Sequence, residues 1–114
     1  MAIETGSVQG TLVIRLSGDL DHHATEPIRN AIERELQRTN YRNLVLSFRD
    51  IDFMDSSGLG LILGRYRTVS QHGGRMVLCE VSTPLSRLFE LSGLLKVMPV
   101  YETELQAVRA VKEA

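Results

Sequence analysis

Hydrophobic positions change period along this chain, and the changes mark out its elements. Leu12, Ile14 and Leu16 alternate with Val13, Arg15 and Ser17, a period of two that predicts a strand with one strongly apolar face. The segment from Ile3 to Val8 is its expected hairpin partner. From Thr25 the period lengthens. Pro27 suits a first helical turn, and Ile28, Ala31, Ile32 and Leu36 fall on one stripe of an amphipathic helix.

Leu44 to Phe48 is an apolar run of strand length that leads through residues 49–54 into Asp55-Ser56-Ser57-Gly58. A second helix follows, with Leu59, Ile62, Leu63 and Tyr66 as its predicted buried stripe and Arg65 and Arg67 off it. The Gly73-Gly74 pair closes that segment before a strand from Met76 to Val81. Thr83 and Pro84 read as the N-cap and first position of a third helix, carried by Leu85, Leu88 and Phe89 and stopped at Gly93. Val97 to Tyr101 is a predicted last strand, and Thr103 with Gln106 forms a capping box ahead of Leu105, Val108 and Val111.

Two strands followed by alternating helix and strand predict an α/β fold. Each later βαβ unit forces its strands parallel, while the opening hairpin is antiparallel. The expectation is a mixed, mainly parallel sheet of about five strands with an N-terminal hairpin, covered by about four helices, with residues 1–114 forming one domain.

Composition narrows the function classes. Thirteen basic and 14 acidic side chains leave a formal charge of −1, which gives no general attraction to nucleic acid or anionic lipid. No apolar run reaches the ~18–20 residues of a membrane span, and residues 1–6 lack the basic-then-apolar pattern of a secretory signal, so a cytoplasmic location is expected. Cys79, the single cysteine, sits in the apolar run Met76 to Val81 and reads as a buried small hydrophobe.

Candidate chemistry gathers at Asp55-Ser56-Ser57-Gly58-Leu59-Gly60, where a strand has ended and a helix begins. In open α/β sheets this end of the strands is where ligands and partners meet the fold. A helix start offers unpaired N–H groups and a positive dipole end, able to hold a phosphate on serine without disrupting the helix. One Asp or Ser suffices for capping, and here there are three. Gly58, Gly60 and Gly64 are also unusual, since each glycine in a helix costs about 0.8–1.0 kcal/mol relative to alanine. Close packing of helix against sheet accounts for such a cost, as does, at Gly58 and Gly60, a bare serine end whose backbone a partner's nucleotide-bearing cleft can approach.

Other signatures fail. The glycine after Gly58-Leu59-Gly60 falls at 64, one position beyond the dinucleotide spacing, and no P-loop lysine exists. Ser56 lacks the flanking glycines of a hydrolase elbow, and His22, His23 and His72 are not placed near it by the sequence. The adjacent His22 and His23 read as a loop or helix start, not a metal site. No catalytic residue, cofactor or metal is expected.

Leu16-Ser17-Gly18-Asp19-Leu20-Asp21-His22-His23, Asp52-Phe53-Met54-Asp55-Ser56-Ser57-Gly58-Leu59-Gly60, Ile62-Leu63-Gly64-Arg65-Tyr66, Arg87-Leu88-Phe89 and Ser92-Gly93-Leu94 together resemble the STAS domain family, in particular its sporulation anti-sigma factor antagonists. The likeness covers nearly the whole chain. It implies a partner-switching phosphoprotein. The unphosphorylated form binds an ATP- or ADP-bound anti-sigma factor that is also a serine kinase, and so frees a sporulation sigma factor for transcription. Phosphorylation on Ser56 ends binding, and a metal-dependent PP2C-type serine phosphatase reverses it. Asp21, Ser57, Gly58 and Leu59 belong to the implied partner surface. Spacing alone leaves Ser56 and Ser57 both open as acceptor. Two alternatives stand beside this reading: a receiver-like domain phosphorylated on Asp55, with Asp19 and Asp21 holding magnesium and Lys96 behind, and a STAS module that senses a nucleotide or other small ligand.

Overall fold

The computed structural model describes residues 2–112. Strand β1 (Ala2–Val8) turns at Gln9 and Gly10 into β2 (Thr11–Leu20). Both turn residues have positive φ, 53° and 81°, the hand that matches the twist of a tight antiparallel hairpin. Helix α1 (His22–Thr39) leads to β3 (Leu44–Met54) and α2 (Ser56–Gln71) to β4 (Met76–Cys79). Helix α3 (Thr83–Ser92) continues through a 3₁₀ turn (Leu94–Lys96) to β5 (Val100–Tyr101), and α4 (Glu104–Lys112) follows. The strands lie side by side in chain order, β1 antiparallel to β2 and the others parallel. This is the mixed, mainly parallel sheet that the sequence predicts, with four helices among the described residues.

The central strands β2, β3 and β4 are buried on both faces. Leu12, Ile14, Leu16, Leu44, Leu46 and Phe48 form one core with Ile28 and Ile32 of α1, Leu61 and Ile62 of α2, and Phe89 of α3. Val13, Val45, Val77 and Cys79 point the other way and pack on Ala107, Val108 and Val111 of α4. Val13 is therefore as buried as its neighbours Leu12 and Ile14; the period of two separates two cores rather than a core from solvent.

Several boundaries differ from the sequence reading. Helix α1 begins at His22, three residues before Thr25, because the Asp21 carboxylate accepts the His23 and Ala24 N–H groups at 3.0 and 3.1 Å. Pro27 consequently lies inside the helix and forgoes the bond that an N–H there would make. Strand β3 runs on to Met54 because β2 pairs with it as far as Leu20↔Met54, across two register shifts. Strand β4 stops at Cys79, where Glu80 takes a positive φ of 55°. The 3₁₀ turn takes up the chain ahead of β5, which is only two residues long. In α3 the cap is Ser82, and Thr83 and Pro84 are the first helical residues; Gly93 ends the helix at φ 82°. The capping box of α4 forms as predicted, with Thr103 Oγ1 accepting the Gln106 N–H and Gln106 Oε1 accepting the Thr103 N–H, at 3.2 and 3.3 Å.

On α2 the stripe is rotated. Leu63 is 41% exposed, whereas Arg65, read as lying off the buried face, is 8% exposed. Leu105 of α4 is likewise exposed, and Ala107 takes the buried place. The Arg65 guanidinium is buried with its stem, its Nη1 2.9 Å from Glu33 Oε1 of α1, and that partner on another helix is why charge alone misassigns it.

Candidate functional site

Strands β2 and β3 end together, so the helices that follow them start side by side. Asp21 caps α1 and Asp55 caps α2, both with extended backbone at the cap. Asp55 spans the two starts: its Oδ1 accepts the Ser57 N–H at 2.9 Å and its Oδ2 accepts the His22 N–H at 3.1 Å. The Asp55 N–H in turn meets the Leu20 carbonyl at 3.4 Å. One carboxylate thus fixes the first turn of α2 against the first residue of α1.

This arrangement brings Asp21, Ser56, Ser57, Gly58 and Leu59 into one neighbourhood at the carboxyl ends of the parallel strands. Ser56 is the first residue of α2 and is exposed; Ser57 is half-buried; Leu59 is half-buried against the main core. Gly58 is buried, and a Cβ there would lie 2.5 Å from Met54 Cγ and 3.2 Å from Leu20 Cδ2. Close approach of helix to strand ends therefore favours glycine at 58, since a larger residue would have to displace the Met54 side chain. Gly60 and Gly64 are different, since a Cβ at either would meet nothing within 4 Å.

The helix start is not vacant in the way the sequence implies. The Ser57 N–H is taken by the Asp55 carboxylate and the Gly58 N–H by the Asp55 carbonyl at 3.0 Å. Two of the amides expected to receive a phosphate already have partners. Ser56 itself is exposed and follows the Asp55 cap directly in sequence.

His22 and His23 are the first two residues of α1, and their rings meet edge to face at 5.7 Å. His72 caps the far end of α2, a helix of sixteen residues that begins at Ser56. A groove of about 990 Å³ runs between α1 and α2 and is lined among others by His22, His23, Ser57, Gly60 and Arg65. Sequence reasoning missed this groove, because its walls come from two helices whose separation only packing decides. The helical cost of Gly60 and Gly64 was its visible sign in the sequence.

The receiver-like alternative is overturned. Receivers share the doubly wound strand order 2-1-3-4-5, whereas this sheet runs 1-2-3-4-5 with an antiparallel edge. Both Asp55 oxygens are also committed to backbone amides, one in each neighbouring helix. Among the described residues no helix is long and apolar enough to cross a membrane.

A sequence model of the STAS domain matches residues 2–107. This chain belongs to the STAS domain family. Within the family it is 45% identical over 108 residues to the anti-sigma F factor antagonist of Paenibacillus polymyxa, covering 95% of this chain and 92% of that one. The STAS fold described here superposes on the anti-sigma factor antagonist SpoIIAA in its unphosphorylated form with a TM-score of 0.84 and 38% identity, over 99% of this chain and 98% of that chain. The Bacillus cell fate determinant SpoIIAA in the phosphorylated form gives a TM-score of 0.75 and 38% identity, over 96% and 99% of the two chains.

Proposed function

We propose that this STAS domain, residues 1–114, is an anti-sigma factor antagonist switched by phosphorylation of Ser56. The unphosphorylated protein docks on an anti-sigma factor that is also a serine kinase using ATP, and docking frees a sporulation sigma factor. A PP2C-type serine phosphatase restores the hydroxyl. The domain itself carries no catalysis, needs no cofactor and works in the cytoplasm. The observation that carries this reading is the exposure of Ser56 at the first position of α2, on a backbone clamped by Asp55 beside the Asp21-capped start of α1. Ser57, half-buried with its N–H held by Asp55, is the poorer acceptor. The names of the similar proteins, an anti-sigma F factor antagonist and SpoIIAA in two phosphorylation states, support the same reading.

The mechanism follows from charge. A phosphoserine adds about −1.5 to −2, taking a chain of formal charge −1 to about −3. The new dianion would follow the Asp55 cap directly in sequence, at a helix start that Asp55 ties to the Asp21-capped start of α1. Docking would bury it without a counter-charge, a desolvation cost large enough to release the partner without unfolding either protein. Asp21, Ser57, Gly58 and Leu59 contribute to the docking surface around it.

Incubation of the chain with the anti-sigma factor of the same genome and ATP tests the assignment. Ser56→Ala is expected to dock and to take no label, and Ser56→Asp to dock much more weakly. Label retained by Ser56→Ala would move the acceptor elsewhere, and label lost to hydroxylamine would make it an acyl phosphate rather than a phosphoserine.

A further inference from the structure

Gly60 and Gly64 stand one helical turn apart on α2, and neither is explained by packing within the chain. At Gly58 and Gly74 a methyl group would collide with Met54 or with the Arg42 backbone, but at 60 and 64 it would meet nothing within 4 Å. Each nevertheless carries the helix penalty of about 0.8–1.0 kcal/mol against alanine. Both line the groove between α1 and α2, whose end at Ser57 is continuous with the proposed docking surface.

A second observation concerns the charge of that groove. Arg65 lines it, with the residue 8% and its side chain 10% exposed. Its Nε and Nη1 make no hydrogen bond. Glu33 Oε1 stands 2.9 Å from Nη1, near enough for an ion pair but off the direction of the N–H bonds. A buried guanidinium has five donors to satisfy, and leaving any unmade is costly. Burial and the nearby Arg29 lower the Arg65 pKa from its ordinary value, while Glu33 acts the other way. Arg29 lines the same groove with the acid Glu26 and the histidines His22 and His23, while Glu33 stands beside Arg65.

We propose that the α1/α2 groove is a second part of the docking surface, taking a segment of the anti-sigma factor whose backbone lies over Gly60 and Gly64 and whose acidic side chain reaches the Arg65–Arg29 side. This rests on the reading of the chain as an anti-sigma factor antagonist. Glycine at 60 and 64 lets the partner's backbone approach closely, and the exposed Arg29 beside the incompletely bonded Arg65 selects an acidic residue on it. The groove is separate from the phosphate switch, so it sets affinity and partner choice rather than the on–off state.

Gly64→Ala separates the groove from the switch, because it lies two turns from Ser56 and its methyl group has free space in the isolated domain. The variant is expected to raise the melting temperature by about 3–6 °C and to weaken docking on the unmodified anti-sigma factor by about tenfold or more. Arg29→Glu, at an exposed position, is expected to weaken docking without lowering the melting temperature. Amide shifts of labelled chain on adding the anti-sigma factor should extend along α2 to Gly64. Wild-type docking by both variants, with shifts confined to the first turn of α2, would overturn the groove and leave the Ser56 reading standing. A wild-type chain that fails to dock would overturn both, and Ser56→Asp docking like wild type would overturn the switch alone.

Discussion

At Gly58 the atom in the way of a side chain is the Met54 thioether arm, whereas at Gly74 it is the Arg42 backbone carbonyl. A methionine can rotate aside; a carbonyl on the loop before β3 cannot. Gly58→Ala is therefore expected to cost about 1–3 kcal/mol in urea unfolding, and to be nearly neutral when made on a Met54→Ala background. Gly74→Ala should cost more and find no such rescue. Equal losses, or no rescue at 58, would show that the helix-to-strand approach is not what demands glycine. Cys79 supplies a pH test. Burial pushes its thiol up to about 12, against a smaller opposing effect of the Ser47 hydrogen bond. The folded state thus favours the neutral thiol. Its contribution is complete below the unfolded pKa of about 8.5 and is lost as pH climbs from there towards 12. Cys79→Ala should accordingly lose less stability than the parent between pH 9 and 11, and native Cys79 should resist thiol reagents at pH 8 until urea is added.

Among the elements, the paired starts of α1 and α2 depend on two carboxylates with different duties. Asp21 caps its own helix, and asparagine caps equally well. Asp21→Asn should keep the unfolding midpoint while removing a charge, so reduced docking in that variant would assign the charge a direct part in partner contact. Asp55 serves both helices through separate oxygens. An amide in its place can accept one N–H but presents its own NH₂ to the other. Asp55→Asn is expected to lose about 1–2 kcal/mol in urea unfolding; an unchanged midpoint would mean the bridge between helices carries little.

At the scale of the whole molecule, the proposed switch changes charge and leaves architecture alone. Ser56 is exposed, its helix start is already satisfied by Asp55, and the core packs on the opposite side of α2. Phosphorylated chain should therefore show the far-UV circular dichroism of the unmodified chain and a melting temperature within a few degrees of it. A substantial loss of helix would replace an electrostatic release mechanism with a conformational one.

Local physics wrote much of this into the sequence. Alternation of period, the Thr103–Gln106 box, the Gly93 stop and the order of strands and helices follow from hydrogen bonding and burial over a few residues, and so they were legible. So was the Asp55-Ser56-Ser57-Gly58 segment, because its residue types are those of a helix start. Tertiary packing alone decided the rest. It brought the Asp55 carboxylate onto the His22 N–H at the start of α1, and it turned Val13 into a second core. It also sank Arg65 between two helices and left Gly60 and Gly64 facing an open groove. Each of these depends on groups distant in sequence, such as Asp55 with His22 or Val13 with Val108, whose proximity no periodicity encodes.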